Sequence, residues 1–317
     1  PKLVTASRPY NLALLGASTQ ITATGGSAST AFINTGYLTL GDSVGDQLLF
    51  AGGLSATAPS AINVAGGIST TGTAMTLGNS NTALTLLNNT TLSTGVGDIT
   101  LGGSVTGAYD FVLNSEGVTT LKSTVDLASL KTDVSGSSIN AAASGNKVFV
   151  QGGSITTSGD TQFAELVLLD KADITTNRIT TLTSTNGQVG FGGAIHNANI
   201  AVQQDLVINA ANNPANNAVT FAGPVGDASA GGALNSLFVN SPLTRIQGGS
   251  VTTHAGQHYG GMVVLDKTDT HIDTITTMTT NAGAVLFDGA IRNAISTAPQ
   301  SLTINAANYP VTFSGAL

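Results

Sequence analysis

Apolar residues along this chain alternate with polar ones in short runs, and the runs end on glycine. The recurring form is apolar, x, apolar, x, Gly, x, apolar. It reads Leu48-Phe50-Gly52-Leu54, Ile62-Val64-Gly66-Ile68 and Ile99-Leu101-Gly103-Val105 in the first half of the chain. It returns as Val189-Phe191-Gly193-Ile195, Val219-Phe221-Gly223-Val225, Val285-Phe287-Gly289-Ile291 and Val311-Phe313-Gly315-Leu317 in the second. A two-residue period puts all these apolar side chains on one face of an extended chain. Glycine falls at an inward position, where a side chain would crowd the core or the backbone must bend. The motif therefore predicts a strand, a glycine corner and the next strand. Other alternating runs, such as Tyr37–Leu40, Leu166–Leu169, Leu237–Val239 and Met262–Leu265, lie between Gly, Asn and Asp clusters. Helical periodicity is nearly invisible, because Gly, Thr, Ser, Asn and β-branched residues fill every window.

The pattern also repeats on a longer scale. A shift of 96 residues carries Gly152-Gly153-Ser154 onto Gly248-Gly249-Ser250, and Leu169-Asp170-Lys171 onto Leu265-Asp266-Lys267. The same shift carries Val189, Phe191, Gly193 and Ile195 onto Val285, Phe287, Gly289 and Ile291. The register then slips by four, so that Phe221 answers to Phe313, and the Asn-rich stretch before it reads as a loop. This divides the chain into an N-terminal strand or capping segment (1–40), a degenerate first unit (41–149), a second unit (150–245) and a truncated third (246–317). Two all-β architectures fit: a parallel β-helix with coils of roughly 20 residues, and a string of Ig-like sandwiches. Recurrence of one motif within a unit, scarce hairpin signals and small aliphatic interior residues favour the β-helix.

Composition narrows the function classes. Of the 317 residues 9% are charged, the net charge is −7, and Cys and Trp are absent. No basic run exists, so nucleic acid and anionic membranes are poor candidate partners. No stretch is long and apolar enough for a transmembrane helix, so no membrane insertion is expected in this segment. Without cysteine there is neither a disulfide framework nor a zinc ribbon, which suits a protein that crosses membranes unfolded. The start lacks a signal-peptide pattern and the end falls inside a motif. The reading is a removed signal or a piece of a longer chain.

GDITLGGSV (97–105), VGFGGAI (189–195), VTFAGPVG (219–226) and GGSITTSGDTQF (152–163) resemble the repeats of filamentous-haemagglutinin-like exoproteins and β-strand-repeat autotransporter passengers of Gram-negative bacteria. The resemblance covers most of the chain from about residue 41. It implies a right-handed parallel β-helix, secretion across the outer membrane to the cell surface, and adhesive, matrix or filament roles. It carries no catalytic residues to transfer.

Individual residues point the same way. His254 and His258 have helical ligand spacing, but their surroundings are not helical and no Glu or Cys completes a zinc set. His196 and His271 are the other two histidines. Asp170-Lys171 and Asp266-Lys267 repeat, which argues for turn chemistry over a unique acid/base pair. Asp98 and Asp227 are read as bonding their own backbone. The Thr-x-Thr runs could order water only if they lined up in successive coils, and the spacing does not place them in line. Strand propensity explains them more simply. No catalytic residue, metal site or cofactor is assigned. The structural positions are Gly52, Gly66, Gly103, Gly152, Gly153, Gly193, Gly223, Gly248, Gly249, Gly289 and Gly315, with Phe191, Phe221, Phe287 and Phe313. Binding is sought in loops that interrupt the repeat, 212–217 (Asn212, Asn213, Asn216, Asn217), 227–232 and 253–261 (His254, His258, Tyr259). A cell-surface glycan or protein is the candidate partner. The rival readings are a polysaccharide-active β-helix enzyme and a self-assembling filament or surface-layer subunit.

Overall fold

A computed structural model describes residues 4–21, 29–133, 146–171, 178–199, 201–210, 218–226, 232–267, 275–294 and 299–316. The chain divides into two compact units, Pro1–Thr157 and Ser158–Leu317. Both are parallel β-solenoids. Among the described residues there is no helix, and so none long and apolar enough to cross a membrane. Ig-like sandwiches need antiparallel pairs, and the ladders run parallel instead.

In the first unit each coil visits three strand columns in turn. Column A holds Leu12–Leu14 and Tyr37–Leu40, paired Leu12 to Leu38 and onward to Ile62, Leu84, Val105 and Val125. Column B starts with Thr19–Ile21 and Gln47–Phe50. Column C runs through Thr30–Ala31, Leu54–Ala56, Met75–Leu77, Ile99–Leu101, Val118–Leu121 and Lys147–Val150. Four long strands, Ala61–Thr70, Ala83–Gly95, Val105–Ser115 and Val125–Thr132, pass from column A to column B without a break. The alternating pattern puts Leu38, Leu40, Ile62, Val64, Ile68, Leu92, Phe111 and Leu113 inside, each fully buried.

The second unit repeats the plan with shorter strands. Column D holds Thr161–Phe163, Val189–Phe191, Val219–Phe221, Leu243–Ile246, Met262–Leu265 and Ile291–Asn293. Column E holds Ile179–Ser184, Asp205–Asn209, Leu237–Asn240, Gln257–Tyr259, Val285–Phe287 and Val311–Phe313. Column F includes Leu166–Leu169 and Ile195–Asn197, and further on Ser250–Thr253, Ile275–Thr280 and Ser301–Asn305. Val225 bridges the two groups as a single residue. Each coil runs E to D to F.

The seven-fold motif occupies every kind of corner. In the first unit it turns B to C at Phe50–Leu54, A to B at Val64–Ile68 and C to A at Leu101–Val105. In the second it turns D to F at Phe191–Ile195 and E to D at Phe287–Ile291. The 96-residue repeat is therefore out of phase with the coil. Phe191 lies in column D, while its counterpart Phe287 lies one column back, in E. Leu169 in F corresponds to Leu265 in D, and Ile179 in E to Ile275 in F. The three columns are interchangeable as far as the core is concerned.

Candidate functional site

The glycine pair that marks the repeat has two separate backbone tasks. A Cβ on Gly248 would lie 2.1 Å from the carbonyl carbon of Gly223, and one on Gly223 would lie 2.4 Å from that of Gly193. Gly193, Gly223 and Gly248 thus stack in the D-to-F corner, with each coil's backbone pressed on the next. Gly261, Gly289 and Gly315 do the same in the E-to-D corner. Gly152 is pressed against Ser123 in the first unit. The second glycine of the pair answers a different need, since Gly153 and Gly249 sit at φ 74° and 75°, where a side chain is strained. Gly66, Gly103, Gly193, Gly223, Gly289 and Gly315 face the neighbouring coil's backbone, not the core as the sequence pattern suggested.

The aromatic positions form ladders. Phe163, Phe191 and Phe221 stack at 5.6 Å spacing in column D, and Tyr259, Phe287 and Phe313 stack at 5.2 and 5.3 Å in column E. Tyr259, expected in a binding loop, is fully buried. It is the repeat counterpart of Phe163, and its hydroxyl donates to Oε1 of the buried Gln257 at 3.1 Å. Burial pushes the Tyr259 hydroxyl pKa far above the usual tyrosine range. Its neighbour His258 points outward, with Nε2 2.8 Å from Asp288 Oδ2 and its ring edge-on to Phe238 at 4.9 Å. His254 is exposed at a corner where its carbonyl accepts from Ala282 N–H at 2.7 Å. His271, Asn212, Asn213, Asn216, Asn217 and positions 227–231 lie outside the described residues. Among the described residues no three His, Cys, Asp or Glu side chains gather as a metal set.

One corner reading changes, and another gains a partner. Asp98 does not bond its own turn: Oδ1 accepts Val118 N–H of the next coil at 2.8 Å, and Asp160 treats Gln188 likewise at 2.9 Å. A carboxylate at a corner supplies the acceptor that the interrupted ladder lacks. The repeated Leu-Asp-Lys turn is organised by a residue the sequence reading missed. Gln204, buried, accepts Lys171 N–H at 3.1 Å and donates to Leu169 carbonyl at 3.1 Å. Gln300, 96 residues later, clamps the backbone of Lys267 with both amide atoms, at 2.9 and 3.2 Å. Its signal was available, since Gln204 and Gln300 share the repeat offset. The Thr runs do line up over adjacent coils of column F, Ser250–Thr277–Thr303 and Thr252–Thr279–Asn305. Thr252 is nearly buried there and Asn305 ends the second row.

The outer surface of column B in the first unit carries a groove of about 480 Å³. Its floor is Gly67 and Ser69 on one coil and Thr91 and Ser93 on the next, paired in register. Bulkier rungs close it on either side: Gln47 with nearby Val44 before it, and Val112 after it. Two ladder irregularities raise its corner edge. Between Val64 and Gly66 the facing strand carries extra residues through Asn88-Asn89, and a second break falls between Gly107 and Asp110. The raised residues are tied together, with Asp110 N–H donating to Asn89 Oδ1 at 3.0 Å and Ser129 Oγ to Asp110 Oδ1 at 2.7 Å. The Gln47 amide lies across Gly67, in the space that a Cβ there would take.

Comparison of the chain with protein families, with curated proteins and with solved structures finds no match.

Proposed function

We propose that this chain is a non-enzymatic structural segment of a secreted bacterial surface protein, a stiff and protease-resistant scaffold for adhesion or matrix formation. The observation that carries this reading is the use made of the repeat. What recurs at 96 residues is corner glycine, ladder aromatic and clamping glutamine, all spent on stacking one coil on the next. A repeated catalytic or ligand site would keep its outward residues on one column. Here the repeat moves to a different column, so outward residues of equivalent copies face different directions. The sequence resemblance to haemagglutinin-like and autotransporter repeats supports the extracellular placement.

Three measurements test the reading. Incubation with neutral and acidic polysaccharides is expected to leave the count of reducing ends unchanged, and thermolysin to leave large β-rich fragments at temperatures where ordinary loops are cut. Release of new reducing ends would replace the scaffold with the polysaccharide-active enzyme. Antibody labelling of intact source cells should mark the surface, and retention of the chain inside the cell overturns the placement.

A further inference from the structure

We infer that the column B groove of the first unit is a binding site for a neutral, hydroxyl-rich ligand, a saccharide unit of a glycan. The inference extends the scaffold reading without depending on it, since a scaffold needs no ligand site at all. Volume comes first: about 480 Å³ lies within the usual range of small-molecule sites. The two small rungs between the bulky ones leave a gap of about 10 Å, two inter-strand spacings, which matches one or two sugar rings.

The lining chemistry selects the class. The one charged side chain in it is Asp110, and there is no cation, so an anionic ligand has no partner there. The groove offers two carboxamides, three hydroxyls and one carboxylate, from Gln47, Asn89, Ser69, Thr91, Ser93 and Asp110. Amides and hydroxyls both donate and accept, which fits a ligand that does the same at every position. The hydroxyls of Thr91 and Ser93 and the Gln47 amide make no hydrogen bond among the described residues, while Asn89, exposed, uses its Oδ1 on the Asp110 backbone. A carboxylate exposed to water gains little from a single ion pair, but accepts readily from two adjacent hydroxyls. Val44, more than half exposed, and Val112 give the apolar edge that the C–H face of a sugar ring requires. The groove is framed by the bulged strands, with the Gln47 amide laid across its Gly67 rung, so the polar lining is set by the fold.

Saturation-transfer NMR on the whole chain, with a panel of neutral mono- and disaccharides of glucose, galactose, mannose and N-acetylglucosamine, tests this. Transfer to at least one neutral sugar is expected, with weaker or no transfer to glucuronate. Ser93→Trp fills the floor from an outward position. It should reduce binding at least tenfold while the circular dichroism stays unchanged. Asp110→Asn keeps an acceptor for Ser129 Oγ and should weaken binding more mildly. Transfer to no neutral sugar overturns the inference, as does a sugar that binds Ser93→Trp as well as the parent. Selection of a peptide at this groove in place of a sugar overturns the ligand class. None of these outcomes bears on the protease and reducing-end tests of the scaffold.

Discussion

The two units turn the same corners by different means. In the first, strands of 8 to 13 residues carry the chain from column A into column B, while glycines such as Gly102 and Gly103 turn C to A. In the second, no described strand is longer than six residues, and the E-to-D and D-to-F corners are made of stacked glycines. The aromatic side chains follow suit. Phe32 and Phe50 meet edge to face, 89° apart at 6.0 Å, in the first unit, whereas Phe287 and Phe313 in the second lie within 3° of parallel. A bent strand keeps its backbone hydrogen bonds through the corner but has to absorb length differences between coils as bulges. A glycine corner breaks the strand and lets the following coil lie flat on the previous one. Regular corners give aligned ladders, and bulged corners give surface relief. The groove lies in the unit with the bulges for that reason.

The ladder is where this contrast should have its largest effect. Phe191 is buried between two stacked rings, Phe163 and Phe221. Phe191→Ala is expected to cost about 3–5 kcal/mol. The loss should exceed that of Phe50→Ala, with its single edge-on neighbour, by about 1 kcal/mol. Hydrogen exchange resolved along the chain, with urea as the perturbant, separates the two units' stabilities. Equal losses would remove the distinction between ladder and edge pair. Phe191→Asp leaves a charge with no partner in the core and should prevent the second unit from folding. Retention of full β-type circular dichroism by that variant would contradict the inward placement.

Corner glycines come next in size. Gly223→Ala brings a methyl group within 2.4 Å of Gly193 carbonyl carbon, where only backbone can yield. A cost of about 1–3 kcal/mol or more is expected. In the first unit a Cβ on Gly45 would meet nothing within 4 Å, so Gly45→Ala should change stability by about 0.5 kcal/mol or less. Thermal unfolding of the two variants gives the comparison directly. A harmless Gly223→Ala would mean that the coils are farther apart than the stacked glycines imply.

Much of this was legible in the sequence, and the part that was not has a common cause. The period-two alternation and the glycine after it gave strands and corners, because both follow from local backbone geometry. The 96-residue shift was visible too, and it already aligned Tyr259 with Phe163. Reading Tyr259 as part of a loop overlooked that alignment in favour of its polar hydroxyl and its histidine neighbour. The phase of the repeat against the coil was not legible, because the number of residues spent at each corner varies and any column accepts the motif. The role of Asp98 was hidden for the same reason: its partner Val118 is near only after the coil closes. The groove depends on which side chains become neighbours across four coils and on two bulges. Neighbours on successive rungs, Gln47, Gly67, Thr91 and Val112, stand a whole coil apart in the sequence.

The smallest effect concerns corners that carry a carboxylate, which glycine corners cannot. Asp46 and Asp133 both cap turns in the first unit, with opposite consequences. The N–H groups of Asp42 and Ser43, at 2.8 and 3.0 Å, hold the Asp46 pKa below the usual carboxylate range. Burial raises that of Asp133, with the Glu116 charge adding to it and the Ser115 N–H at 2.8 Å opposing. A carboxylate with a lowered folded-state pKa contributes stability above its unfolded value and loses it as pH falls through the folded one. Asp46→Asn should therefore destabilise at neutral pH, with the deficit shrinking in acid. A raised pKa works the other way: the contribution is fully present below the unfolded value and is lost as pH rises through the folded one. Asp133→Asn should then stabilise the first unit at neutral pH, by about 1 kcal/mol or less, and the gain should vanish as pH drops through the carboxylate range. Asparagine also tolerates the left-handed backbone at this position, φ 52°, at least as well as aspartate. Urea midpoints of both variants from pH 3 to 7 decide the matter. A gain for Asp133→Asn that persists unchanged at pH 3 would show that backbone preference, not the buried charge, sets the cost of this corner.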